Sequence, residues 1–213
     1  MTPCKIDLFN LQLDMPLPKA RTLEHEDVRK FSEWLCDPEG ARLRADQVRL
    51  KAWDQLFGYE IFAQFFGENG FIVRTADRVR VGVKNARTAA DWEIQQLFVR
   101  FLHQEPGSDT TVRMFSASAH LKLEEPFSAS GFLERFAVVP GIEKPAALNY
   151  VKIADWEKEI RIVIEPSNIF PGQLFVTWDS QFISSQDWDT FVPILLTVME
   201  NSAAIFDLEI SLR

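Results

Sequence analysis

Apolar and polar positions alternate from the start of the chain. In "KIDLFNLQLDMP", Ile6, Leu8 and Asn10 fall on one side, and Asp7, Phe9, Leu11 and Leu13 on the other. That is the period of a strand buried on much of both faces, stopped by Pro16 and Pro18. The period then changes. Val28, Phe31 and Leu35 in "EHEDVRKFSEWLC" recur at helical spacing, and "DPEG" ends the helix. "GYEIFAQFFGENGFIVRTADRVRVGV" is strand material with a hairpin turn at Asn69-Gly70, and Val79, Val81 and Val83 alternate with Arg78, Arg80 and Gly82. Ile94, Leu97, Phe98, Phe101 and Leu102 then form a full helical stripe.

"HQEPGSD" is the clearest linker, and beyond it the order repeats. "VRMFSASAHLKLEE" alternates strictly, "SASGFLERFA" is a short helix, and "NYVKIADWEKEIRIVIEP" and "GQLFVTWDSQF" are strands. A long helix starts at Ser184, with Trp188, Phe191, Val192, Leu195 and Met199 as its stripe and Pro193 inside it, where a backbone hydrogen bond is lost. The tail "IFDLEISLR" fits an edge strand or an extension of the helix. The fold expected is α+β: two related β-α-β-β-α halves, residues 1–105 and 106–213, with antiparallel strands and helices packed on one face. This internal duplication is expected to form one compact unit.

Each half carries a hydroxyl, two residues, then Asp-Trp: Thr88 with Asp91-Trp92, and Ser184 with Asp187-Trp188. The spacing is that of a capping box, in which the hydroxyl takes a first-turn N–H and the acid reaches back to the cap. A repeated helix start explains the pair more simply than repeated chemistry.

The hairpin "FFGENGFIVRTADRVRVGV" followed by "DWEIQQLF" resembles a sporadically distributed bacterial family of uncharacterised proteins. Its other features fall on Ile6 to Met15, Trp92, Tyr150 to Ile153 and Ile205 to Glu209. The resemblance covers nearly the whole chain through short motifs. The family's Asn-Pro-Pro opening is replaced by "MPLP", and its basic residue before the second-half Tyr by Asn149. It implies an architecture and no catalytic residues.

Charge separates the halves. Residues 1–105 hold 15 Lys and Arg against 16 Asp and Glu; residues 106–213 hold 8 against 15, so the net charge of −8 lies mostly in the second half. An acidic excess opposes sequence-independent binding to nucleic acid or anionic membranes. Cys4 and Cys36 read as free thiols of a cytoplasmic protein, and no run reaches the length of a membrane span. The 18 Phe and 6 Trp predict an aromatic core.

Candidate chemistry gathers in two places. On "FSASAHLKLEE", Ser116, Ser118, His120 and Lys122 share a strand face that would line a pocket, although same-face neighbours stand roughly 6–7 Å apart. The open face of a sheet whose other face carries helices is the plainer reading. The second place is the basic stretch Arg74, Arg78, Arg80, Lys84 and Arg87, a candidate patch for anions or nucleic acid, interrupted by Asp77. A solvated edge strand protected by positive charge is the commoner explanation. No His or Cys spacing suits a metal, and no glycine-rich phosphate loop is present, so neither metal nor cofactor is expected.

The expected function is therefore a non-enzymatic binding or regulatory module acting through protein–protein contacts, with a protein partner or a homodimer. One alternative is a small-molecule-binding protein or enzyme using the His120 face. Another is a nucleic-acid binder using the arginine stretch.

Overall fold

The structure, a computed structural model, describes residues 1–17, 20–37, 46, 48–55, 58–65, 69–86, 112–135, 151–153, 158–183 and 188–212. The chain is α+β and rich in sheet. The first strands are β1 (Thr2–Pro16), β2 (Val48–Gln55), β3 (Gly58–Phe65), β4 (Gly70–Arg74) and β5 (Arg78–Ala86). They are followed by β6 (Val112–Leu123), β7 (Val151–Ile153), β8 (Lys158–Pro166), β9 (Leu174–Ile183) and β10 (Leu208–Glu209). Among the described residues the helices are α1 (His25–Cys36), α2 (Ala129–Glu134) and α3 (Trp188–Ala204). None of them is long and apolar enough to cross a membrane. The expected helix that carries Ile94 to Leu102 and both Asp-Trp capping boxes lie outside the described residues.

Nine strands form one antiparallel sheet in the order β2-β3-β4-β5-β1-β6-β9-β8-β7, and β10 pairs parallel to the start of β1. The long pairing of β1 with β6, from Cys4↔Leu123 to Asp14↔Met114, runs down its middle. Outward from β1 the chain adds β5, β4, β3 and β2; outward from β6 it adds β9, β8 and β7. The tail supplies β10, and the carbonyl of Asp207 just before it accepts from Thr2 N–H at 2.6 Å. That bond lies on the edge of β1 away from β6, since the neighbouring Pro3 carbonyl accepts from Glu124 of the β6 side.

One face carries the core. Phe9, Leu11, Leu13 and Met15 of β1 join the valines of β5, and Phe115, Ala117, Ala119, Leu121 and Leu123 of β6 join Leu174, Val176 and Trp178 of β9. Large and small residues alternate across the strands: Leu11 faces Ala117, which faces Trp178, and Phe9 faces Ala119, which faces Val176. The two alanines give volume to the rings beside them, the condition for dense packing. All three helices bury residues in this same cluster: Phe31 and Leu35 of α1, Phe132 and Leu133 of α2, Leu195 and Met199 of α3.

α1 begins as its sequence predicts. Glu24 and Asp27 form a reciprocal capping box, and Asp27 also holds Arg21 at 2.8 Å. α3 continues through Pro193.

Three expectations need correcting. β5, which carries Arg78 and Arg80, is not an edge strand: it lies inside the sheet, paired on one side with β4 and on the other with β1. β2 was not anticipated, because Trp53 breaks the apolar alternation of Val48, Leu50 and Ala52. In β1 the register against β6 shifts between Ile6 and Leu8. Asp7 is the extra residue of a β-bulge, so Ile6 falls on the helix-covered side with Phe9 rather than opposite it.

The indole of Trp178 donates to Ser202 Oγ at 2.9 Å, and Ser202 donates to the Met199 carbonyl at 2.8 Å, all without solvent. Replacing Ser202 with Ala strands a buried donor, so Ser202→Ala should cost about 1–3 kcal/mol in a denaturant titration. Ser202→Thr, which keeps the oxygen, should cost less.

Candidate functional site

The face of the sheet away from the helices holds most of the candidate residues. Ser116, Ser118, His120 and Lys122 alternate with the buried apolar residues of β6 and project onto this open face. Ser116 and Lys122 are exposed. Ser118 accepts from Asn10 Nδ2 at 3.0 Å, and Asn10 Oδ1 accepts from the Asn85 backbone N–H at 2.9 Å. One side chain thus ties β5, β1 and β6 together. Asn85 sits at φ 55, a left-handed conformation that Asn tolerates, where the β1–β5 register is irregular.

His120 is only 5% exposed. It is covered by the loop over residues 167–173, which folds back between β8 and β9. Phe170 meets the imidazole edge-on at 5.0 Å, Phe175 lies beside it at 4.8 Å, and Ser167 Oγ is 2.9 Å from His120 Nδ1. The same Ser167 oxygen accepts the backbone N–H groups of Ile169 at 3.2 Å and Phe170 at 2.9 Å. A hydroxyl has two acceptor positions and one proton. Both positions are filled, so Ser167 donates to Nδ1, and the imidazole is the neutral tautomer carrying its proton on Nε2.

The distance suits a nucleophile and its base. The commitment of both oxygen lone pairs and the burial of the ring make the arrangement a clasp on the loop. The bulge residue Asp7, whose carboxylate accepts from Gln173, completes the corner. Burial pushes the His120 pKa below its usual range, and the nearby Asp7 charge opposes this.

The arginine stretch divides. Arg74 is 4% exposed and lies on the helix-covered side, in register with Val79 and Ile61. Arg78, Arg80 and Lys84 lie on the open face. Asp14 of β1 takes Arg80 at 3.0 Å and Arg78 at 3.7 Å through the same oxygen. Arg87 lies outside the described residues.

The open face also assembles a feature that no single segment announces. Trp53, 42% exposed, packs on Phe62 at 6.1 Å between centroids; Phe62 packs on Phe71 at 6.5 Å; and the Lys84 ammonium sits over Phe71 at 5.1 Å. These residues come from β2, β3, β4 and β5. Phe71 lies flat because its partner across the strands is Gly82. A Cβ there would collide with the Phe71 ring and come within 2.9 Å of the Leu11 carbonyl oxygen. Arg49 and Lys51 extend the same face along β2 and are exposed. Only the aromatic richness of "WDQLFGYEIFAQFFGENGF" hinted at this row.

Among the described residues no group of three or more His, Cys, Asp or Glu could hold a metal ion. The chain matches no protein-family model, no curated protein and no solved structure.

Two measurements test this description. A group held neutral by burial stabilises the fold above its unfolded pKa, about 6.5 for His. That contribution is lost as the pH falls through this value toward the lower folded pKa, because the unfolded chain takes up the proton first. The melting temperature should therefore begin to fall below about pH 6.5, before the carboxylates titrate near 4, and this first step should be absent from His120→Gln. The thiols should separate as well. Burial pushes Cys4 up to about 12, whereas Cys36 is exposed. Iodoacetamide at pH 8 should label Cys36 at least ten times faster than Cys4, read by peptide mass spectrometry.

Proposed function

We propose that this chain is a non-catalytic binding module that acts through protein–protein contacts, and that its working surface is the open sheet face over β2 to β5. The observation that carries the reading is the partly exposed Trp53 at the head of the row Trp53–Phe62–Phe71. An exposed Trp that packs on further aromatic residues is a recurrent anchor of protein interfaces.

The charge around the platform narrows the partner. Among the described residues five cations, Arg49, Lys51, Arg78, Arg80 and Lys84, share this part of the face with three acids, Asp14, Glu60 and, at the turn beside Arg78, Asp77, in a chain whose net charge is −8. A locally positive surface on an acidic protein favours an acidic polypeptide segment that brings an apolar side chain to Trp53. A nucleic-acid strand, with a charge on every phosphate, is disfavoured more strongly than an acidic peptide by the overall negative charge.

The clasp at His120 supports the non-catalytic reading, since the one Ser–His contact described is spent on holding a loop. The module is further read as a duplication of related halves meeting at the β1–β6 seam. The matching outward order of strands from that seam favours this, although the first half has more strands than the β-α-β-β-α pattern.

The test uses tagged wild-type, Trp53→Ala and His120→Gln chains on a lysate of the host. The expected result is a protein retained by wild type and His120→Gln and reduced at least ten-fold by Trp53→Ala, with retention falling as salt rises. Circular dichroism should show the Trp53→Ala chain folded. Equal retention by all three chains, or nucleic acid as the retained species, would overturn the proposal.

A further inference from the structure

We infer that His120 and Ser167 form a proton-operated clasp that holds the 167–173 loop on the open face at neutral pH and releases it in acid. The loop is closed at its base by the Ser167 N–H to Gln173 carbonyl bond at 2.9 Å and internally by Gln173 N–H to Phe170 carbonyl at 3.1 Å. Neither bond ties it to the sheet face. That attachment comes from Ser167 and Phe170 against His120, and from Gln173 against Asp7.

The direction of the Ser167–His120 bond makes it sensitive to a proton. Ser167 Oγ has both acceptor positions filled by the Ile169 and Phe170 amides, so it can only donate. Protonation of Nδ1 would set a donor against a donor at 2.9 Å. Either His120 leaves the oxygen or Ser167 gives up one of the two amides that shape the loop.

The groups around the ring decide how far the charge is resisted. From β1 come Leu8 and the Asp7 carboxylate, from β9 Phe175, and from the loop Phe170 and Gln173. On β6 itself the neighbours along the face are Ser118 and Lys122, and β8 contributes Glu165, in register with Phe175. Asp7 attracts an imidazolium, but its carboxylate is engaged by Gln173, and two phenyl rings line the ring itself. The lowered pKa of His120 agrees with this balance. Release would free the loop that carries Ile169, already 66% exposed, and would uncover Phe170 and Phe175 on the open face.

Two measurements test the clasp. The ring nitrogens of His120, followed by 15N NMR at pH 7.5, should show Nδ1 unprotonated and Nε2 carrying the proton; the opposite tautomer would overturn the inference without any mutation. Hydrogen exchange of the Ile169 and Phe170 amides, corrected for the intrinsic rate at each pH, should then lose at least ten-fold protection between pH 7.5 and pH 5, while amides within β8 and β9 keep theirs. His120→Gln, which can accept from Ser167 but does not titrate, should abolish this pH dependence. Ser167→Ala should leave both amides fast at every pH. Protection that does not change with pH in the wild type, or that falls equally in His120→Gln, would refute the clasp.

Discussion

The antiparallel pairing of β1 with β6 is the constraint on which the rest of the molecule depends. Eleven positions of β1, from Cys4 to Asp14, lie along it, and every other strand reaches the sheet through one of these two. Because successive side chains of a strand point to opposite faces, fixing this register fixes which residues meet the helices. Ala117 and Ala119 are then placed between the large residues of β1 and β9, and Trp178 gains its space from Ala117. The bulge at Asp7 changes the phase once, which lets Ile6 and Phe9 share the helix-covered side while Asp7 meets Gln173.

The two faces are stabilised in different ways. The helix-covered face relies on apolar burial, roughly 1.5–3 kcal/mol for each large side chain fully removed from water. The open face is held by directed contacts: Asn10 bridging three strands, Asp14 gathering two arginines, Phe71 lying across Gly82 beneath Lys84. Such contacts are worth less individually but fix positions. At one end of this face lies the aromatic platform and at the other the loop clasped to His120. The aromatic row and the loop clasped to His120 therefore lie on one face of the sheet, on either side of the β1–β6 seam.

The corner at His120 shows how a hydrogen-bond inventory can decide chemistry. A Ser hydroxyl near an imidazole invites a catalytic reading from distance alone. Counting the two amides on the same oxygen assigns the donor, the tautomer and the role of the contact together.

The sequence by itself determined the composition of the layers. Strict alternation in β5 and β6, the helical spacing of Val28, Phe31 and Leu35, and the turn at Asn69-Gly70 each report a local period, and local period is set by backbone geometry. It also placed Ser116, Ser118, His120 and Lys122 on one face. Only the tertiary structure decided the rest. Arg74 and Arg78 are four residues apart, which in one unbroken strand would give them the same side, but the turn at Thr75–Asp77 resets the phase and sends Arg74 into the protein. His120 is buried because a loop forty-seven positions along the chain covers it, and Trp53 meets Phe62 because β2 and β3 pair in one register rather than another. Phase across a turn, cover by a distant loop and register between strands all depend on contacts between residues far apart in the chain, and no local pattern encodes them.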